Sequence, residues 1–467
     1  MDNSFLLQIF RAIDASEHTS VRKFLASPFF NQRRDVQDLF EFLISAQKQG
    51  NLPTLTRETI FATLFPGKSF HNLTLNHTFS YLTNRLEQYL ALTEIQRDPQ
   101  AEQLYRLRAF RRRGLSQLFE RDAQSIEKEH LRSPHRHAGW HLFHYQLQNE
   151  VFSHRIVQRR GGATNLQIVA DALGHFFMLE NLRWACTAHA LRSVGGSEYR
   201  LPLGEAVRRA ADQTPAAENP ALALLAHSLR ALQNPDDEAS FQTLTELLRQ
   251  YPDLFPAAES RDIFMAAINF CIRRQNQGDR TYARVALDLY REALARDILL
   301  ENGVLPAYTY NNIHLLAQVT GERAWARDFL DQYRTALPAA GRDNIYRYNV
   351  AIAHFREGDY GRVLELLQEV TFSEVFINLD VRRMLLKSYF EMGEWLSLAS
   401  LLDSFAVFIR RQKELGYHRT SYLNLIKFTK KLAKKGSNPQ LAESIRNTVA
   451  VAEREWLLEK AAGKMAF

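Results

Sequence analysis

Two cysteines in 467 residues, Cys186 and Cys271, are too few and too far apart for a disulfide framework, and neither sits in the CxxC spacing of a zinc site. This scarcity fits a reducing compartment. Glycine (20) and proline (14) are also sparse for the length, while Leu, Ala, Arg, Glu and Gln abound. Helices need that balance, and sheets joined by tight turns do not. No run of alternating apolar and polar residues argues for a strand. No window approaches the ~20 apolar residues of a membrane-spanning helix. The first residues carry Asp2 and Asp14 and lack the basic start and small-residue cleavage site of a signal peptide. Catalytic signatures are missing as well: there is no phosphate loop, GxGxxG, HExxH, GxSxG or kinase set. Cys186 and Cys271 lie on apolar-periodic helices and read as core. The expectation is a soluble, cytoplasmic, all-α protein that is not an enzyme and takes no cofactor.

What is present is core material: 46% of residues are hydrophobic and 24% charged, the balance of a folded chain. The length exceeds what one core supports, so several packed units or an array are expected. Residues 1–97 read as a helical domain broken at Ser27-Pro28 and Phe65-Pro66-Gly67. Val36, Leu39, Phe40 and Leu43 follow the i, i+3, i+4, i+7 pattern of a buried helix face, as do Phe79, Leu82, Leu86, Tyr89 and Leu90 in a helix from about Leu73 to Ile95. Residues 98–260 continue as irregular helical hairpins separated by short Gly and Pro breaks, and 437–467 form a C-terminal capping helix.

Residues 261–436 carry the strongest pattern. Gly321, Gly358 and Gly393 each separate two apolar-periodic helices, at intervals of 37 and 35 residues. A helix–turn–helix recurring at that period is the signature of a solenoid. With each glycine at the turn, Asn312 and Asn349 share one first-helix position. The second helices supply Ala326, Leu330 and Tyr333, then Val363, Leu367 and Val370, then Leu398, Leu402 and Phe405. Ala286, Tyr290 and Ala293 form a weaker copy upstream, and Pro338 closes a repeat. In these residues the chain resembles tetratricopeptide repeats, clearly over about 307–405. The resemblance implies a right-handed solenoid of hairpins whose concave surface binds a peptide or helix of another protein. Its register points Tyr308, Asn311, Tyr348, Ile352, Arg383 and Lys387 into that groove. Of the positions with which some family members hold a terminal carboxylate, only Asn349 matches. Asn311 stands where a basic residue is usual, and Leu315, Asp380 and Met384 depart from the pattern.

A second resemblance rests on Phe24-Leu25-Ala26-Ser27-Pro28-Phe29-Phe30-Asn31, the Leu64-Phe65-Pro66-Gly67 turn, Asn181-Leu182-Arg183-Trp184-Ala185-Cys186 and Glu453-Arg454-Glu455-Trp456-Leu457. In these segments the chain is similar to an uncharacterised family of bacterial helical proteins, which implies a bacterial cytoplasmic protein and leaves the function open.

The net charge of +7 is local. Between Ile409 and Lys435 nine Lys or Arg face one acid, Glu414, so this stretch carries +8 and the rest of the chain −1. In a helix over Thr420 to Lys435, the residues Lys427, Lys430, Lys431, Lys434 and Lys435 span about 140°. Tyr422, Leu425, Ile426, Phe428, Leu432 and Ala433 fill the opposite arc. Such a stripe suits nucleic-acid phosphates, anionic lipid headgroups or an acidic protein, and the plainer reading is a solvated capping face. His137, His141 and His144 share a helix face, with His135 and His154 near in sequence, but no Cys, Asp or Glu completes a ligand set and the aromatic neighbours favour packing. Arg106, Arg108, Arg111, Arg112 and Arg113, followed by Arg159-Arg160-Gly161-Gly162, could grip an anion, yet Glu102, Glu120 and Asp122 are close enough to pair with them.

Overall fold

The computed structural model describes residues 4–158, 164–195, 198–368, 370, 372, 374–412 and 415–463. Among them are twenty-three α-helices and no strand; one isolated bridge joins Glu301 and Val304 across a turn. No described helix is long and apolar enough to cross a membrane. The chain forms two compact units, Met1–Pro134 with Gly139–Phe176, and His135–Ala138 with Phe177–Phe467.

The first unit holds α1 (Phe5–Ala12), α2 (His18–Ala26), α3 (Arg34–Lys48), α4 (Arg57–Leu64), α5 (Asn72–Arg97), α6 (Pro99–Arg112), α7 (Ser116–Arg132), nearly all of α8 (Ala138–Gln158) and the start of α9 (Leu166–Gly195). Val36, Leu39, Phe40 and Leu43 of α3 are all buried, against Phe10 of α1 and Leu82 and Leu86 of α5. Asp98 separates α5 from α6: its carboxylate accepts from the backbone N–H groups of Gln100 and Ala101, and Pro99 begins the new helix, where a missing N–H costs nothing. A second cluster joins Leu104 and Leu107 of α6, Phe119 and Ile126 of α7, and Phe143 and Leu147 of α8.

The second unit continues with α10 (Gly204–Gln213), α11 (Pro220–Gln233), α12 (Glu238–Gln250), α13 (Ala257–Asn276), α14 (Thr281–Ala295), α15 (Ala307–Val319), α16 (Arg323–Tyr333), α17 (Arg342–Glu357), α18 (Tyr360–Leu367), α19 (Val375–Glu391), α20 (Trp395–Arg411), α21 (Tyr417–Lys435), α22 (Pro439–Arg446) and α23 (Arg454–Ala461). From α11 to α20 the helices pack in consecutive pairs. The first helices α11 and α13, α15 and α17, and α17 and α19 also touch, consistent with a helical repeat arrangement. Gly358 shows how a hairpin turns: at φ +78 it closes α17 in the left-handed region, its N–H bonded to the His354 and Phe355 carbonyls, and Asp359 then caps α18. The second-helix residues Ala326, Leu330, Val363, Leu367, Leu398, Leu402 and Phe405 are all buried.

Candidate functional site

Arg383 and Lys387 lie one helical turn apart on α19, so both side chains leave the same face. They converge on one carboxylate, Glu453: Arg383 Nη1 donates to Oε1 at 2.9 Å and Lys387 Nζ to Oε2 at 2.6 Å. Asp380, a turn earlier, accepts from Arg383 at 2.7 Å and from the Tyr348 hydroxyl of α17 at 2.9 Å. The Phe355 ring lies under both cations, 5.4 Å from Arg383 and 5.3 Å from Lys387. Burial works against the Glu453 charge, but Arg383 and Lys387 outweigh it and hold the carboxyl below its ordinary range. Burial and the Asp380 carboxylate push the Tyr348 phenol up.

Glu453 ends a non-helical stretch held against α21. The Asn424 side chain of α21 donates to the Ala450 carbonyl at 2.7 Å, and the Ala452 N–H donates to the Ser421 carbonyl at 3.1 Å. Glu453 itself has φ +53, a left-handed conformation that costs a residue with a Cβ roughly 1 kcal/mol or more. Beyond it, the Trp456 indole N–H and the Lys460 ammonium of α23 both reach Glu391, each at 2.7 Å.

The other register-derived residues are spread differently. Tyr308 is 55% exposed. Asn311 is half-buried and accepts from the Asn349 amide at 2.5 Å. Tyr348 and Ile352 are buried in one cluster with Val363, Leu367 and Met384, and the Phe372 ring meets that of Tyr348 edge-on, so neither offers open groove surface. In α21, Leu425, Ile426, Phe428 and Leu432 are buried and Tyr422 is half-buried, while Ala433 is exposed. Lys427, Lys431 and Lys434 are exposed, Lys430 pairs with Asp403 of α20, and the Lys435 side chain lies outside the described residues.

The histidines are absorbed by packing and pairing. His137 Nδ1 lies 3.1 Å from Glu259 Oε1. The His144 ring stacks on Trp140 and His130, the His141 ring meets those of Trp140 and His175, and His154 stacks on Phe119. His135 Nδ1 bonds the Asp253 carbonyl. Among the described residues no three His, Cys, Asp or Glu are grouped so as to hold a metal ion. Arg106 pairs with Glu102 and Asp122, whereas Arg108 and Arg111 both clamp Glu150, a partner that sequence reasoning missed. Arg112 and Arg113 sit in the last turn of α6 and just beyond it, Arg113 donating to the Ala109 carbonyl, and Arg159 to Gly162 lie outside the described residues. Burial pushes both cysteine thiols up to about 12, so neither is poised as a nucleophile. Glu453 and Asn424, which complete the α19 site, also went unseen in the sequence. No protein-family model, no curated protein and no solved structure matches this chain.

Proposed function

We propose that the chain is a non-enzymatic scaffold whose tetratricopeptide-like hairpins, stacked as a right-handed solenoid, hold an extended segment of a partner protein on the first-helix face. One observation carries this reading: Arg383, Lys387 and Asn424 already grip a non-helical segment of the same chain, the two cations by its carboxylate and the asparagine by a backbone carbonyl. Side-chain amides that bond a backbone fix an extended peptide without reading its sequence, and paired cations select an acidic residue along it. The test uses a labelled, acetylated peptide with the sequence of residues 447–454. Wild type should bind it poorly, because residue 453 of its own chain fills the site. Glu453→Ala should bind it at least about tenfold more tightly, equivalent to 1.4 kcal/mol, and adding Lys387→Ala should abolish that gain. Equal, negligible anisotropy changes with all three proteins would mean that the face only closes the fold.

A second reading is favoured by the exposed lysines. Lys427, Lys431 and Lys434 have no acidic partner among the described residues, and their common face of α21 suits a polyanion, whether nucleic acid or an anionic lipid surface. Changing all three to Gln should leave helicity intact and flatten the slope of log affinity against log salt by ~0.7 to 0.9 per lost phosphate contact. A flat titration of wild type against single-stranded RNA, duplex DNA and anionic vesicles at ~50 mM salt would dispose of this reading before any variant is made.

A further inference from the structure

A cleft of about 270 Å³ opens between α9, α11 and α13 of the second unit. Its existence follows from side-chain size. The faces that meet there present Cys186 and Ala190 of α9, Ser228 of α11 and Ala266 of α13, and four such short side chains cannot fill the space between three helices. Leu225, Leu232, Ile263 and Met265 supply the apolar walls. The Ser228 and Thr187 hydroxyls are turned back onto the Leu224 and Arg183 carbonyls of their own helices, so they do not make the cleft polar.

Among the described residues two polar side chains at this cleft, Asp262 and Asn269, have no hydrogen-bond partner, and of the two Asp262 carries the charge. Asp262 is exposed and, among the described residues, accepts no hydrogen bond and makes no ion pair, although charged residues surround it. Each neighbour is engaged elsewhere: Arg261 with Glu301 at 3.1 Å, Arg183 with Glu180 at 2.7 Å, and Glu259 with His137 at 3.1 Å. Counting these seven groups, the carboxylates exceed the cations by one even when His137 is protonated. Partial desolvation pushes the Asp262 carboxyl above its ordinary value, while its exposure leaves water to solvate a charge that no side chain pairs. Unpaired, perturbed carboxyls at an apolar cleft are what ligand sites contain. An anion would be repelled here. A calcium or magnesium ion requires about six oxygen ligands, which Asp262, Asn269 and a Glu259 already engaged by His137 do not supply.

We propose that the cleft between α9, α11 and α13 binds a small amphipathic amine, with its ammonium on Asp262 and its apolar stem between Leu225, Ile263 and Ala266. The site goes beyond the docking face on α19 and shares no residue with it. The test is calorimetric titration of the full chain at neutral pH with three ligands of one stem: hexylamine, hexanol and hexanoate. Hexylamine should bind at least about tenfold more tightly than hexanol, a difference of 1.4 kcal/mol, and hexanoate should bind least. Asp262→Asn should reduce the amine to the level of the alcohol and leave the alcohol unchanged. Ala266→Leu, which fills the cleft with an apolar side chain, should remove both. Acidification should weaken hexylamine alone, as Asp262 takes up its proton above the ordinary carboxylate range. Equal binding of amine and alcohol, an amine preference that survives Asp262→Asn, or no binding to wild type would each overturn the proposal. So would binding of Nα-acetyl-lysine methylamide without binding of hexylamine, which would give the cleft to a protein side chain instead.

Discussion

Replacing Glu150 with Gln should cost the first unit about 2 to 3 kcal/mol. The residue is 4% exposed, and its two oxygens accept from Arg108 at 2.9 Å and Arg111 at 2.8 Å. A glutamine can satisfy one arginine through its oxygen, but it turns an N–H₂ toward the other and removes the charge that balances both. Because the arginine side chains are 39% and 28% exposed, water relieves part of the loss. The figure therefore stays at or below the low end of the range for breaking a buried pair. Burial would raise the Glu150 pKa, yet the hydrogen bonds from Arg111 and Arg108 outweigh it and set the folded value below the ordinary one. A depressed carboxyl contributes its stability above the unfolded pKa and loses it as pH falls through the folded value. The gap between wild type and variant should thus be full near neutrality and close in acid below the ordinary carboxylate range. Urea midpoints, read with hydrogen exchange across α6 and α8, would report it. A gap under about 0.5 kcal/mol would mean that these arginines belong to a solvated face.

The same pair shows what the sequence carries and what it does not. Helix-period signals survive in one dimension because their partners are neighbours. Thus the α3 face and the buried run Leu398, Leu402 and Phe405 are legible, and the glycines at 321, 358 and 393 mark real left-handed turns. Pairings across long separations leave no such trace. Glu150 meets its arginines 39 and 42 positions away, and Glu453 meets Lys387 and Arg383 across 66 and 70. Register placed Tyr348 and Ile352 on a first-helix face, but it could not say that Phe372 and α19 would fold over them. The lysine stripe loses Lys430 to Asp403 of α20 for the same reason. Cys186 illustrates the converse: a small apolar residue on a periodic helix reads as filler, while in the fold it helps leave a cleft open.

These two kinds of information meet between α15 and α17, where a large pH effect is expected. His314 has no exposed surface, and its Nδ1 lies 3.1 Å from the Asn349 side-chain oxygen. The Asn349 N–H₂ donates to Asn311 and to the Ile345 carbonyl, so its oxygen must accept and His314 Nδ1 must carry the proton. Nε2 is then free to accept from the Gln318 amide, 3.1 Å away. Every group is satisfied with a neutral ring, and a second proton would set N–H against N–H. Burial, helped by the nearby Arg356 and only partly offset by Asn349, lowers the His314 pKa to about 4. The unfolded chain takes its proton first, near 6.5, so stability is full above that value and falls by about 1.4 kcal/mol per unit as pH drops toward 4. Over the window the loss approaches 3 kcal/mol from one imidazole. His314→Gln keeps a polar side chain that does not titrate there. Its unfolding free energy, measured in urea at intervals between pH 7 and 4, should decline less than that of wild type by that amount. Other histidines whose pKa burial lowers, including His18 and the half-buried His227, contribute equally to both proteins and cancel in the difference. Parallel pH curves for the two proteins would show that the ring is protonated in place, and the neutral-imidazole account of the α15–α17 interface would fail with it.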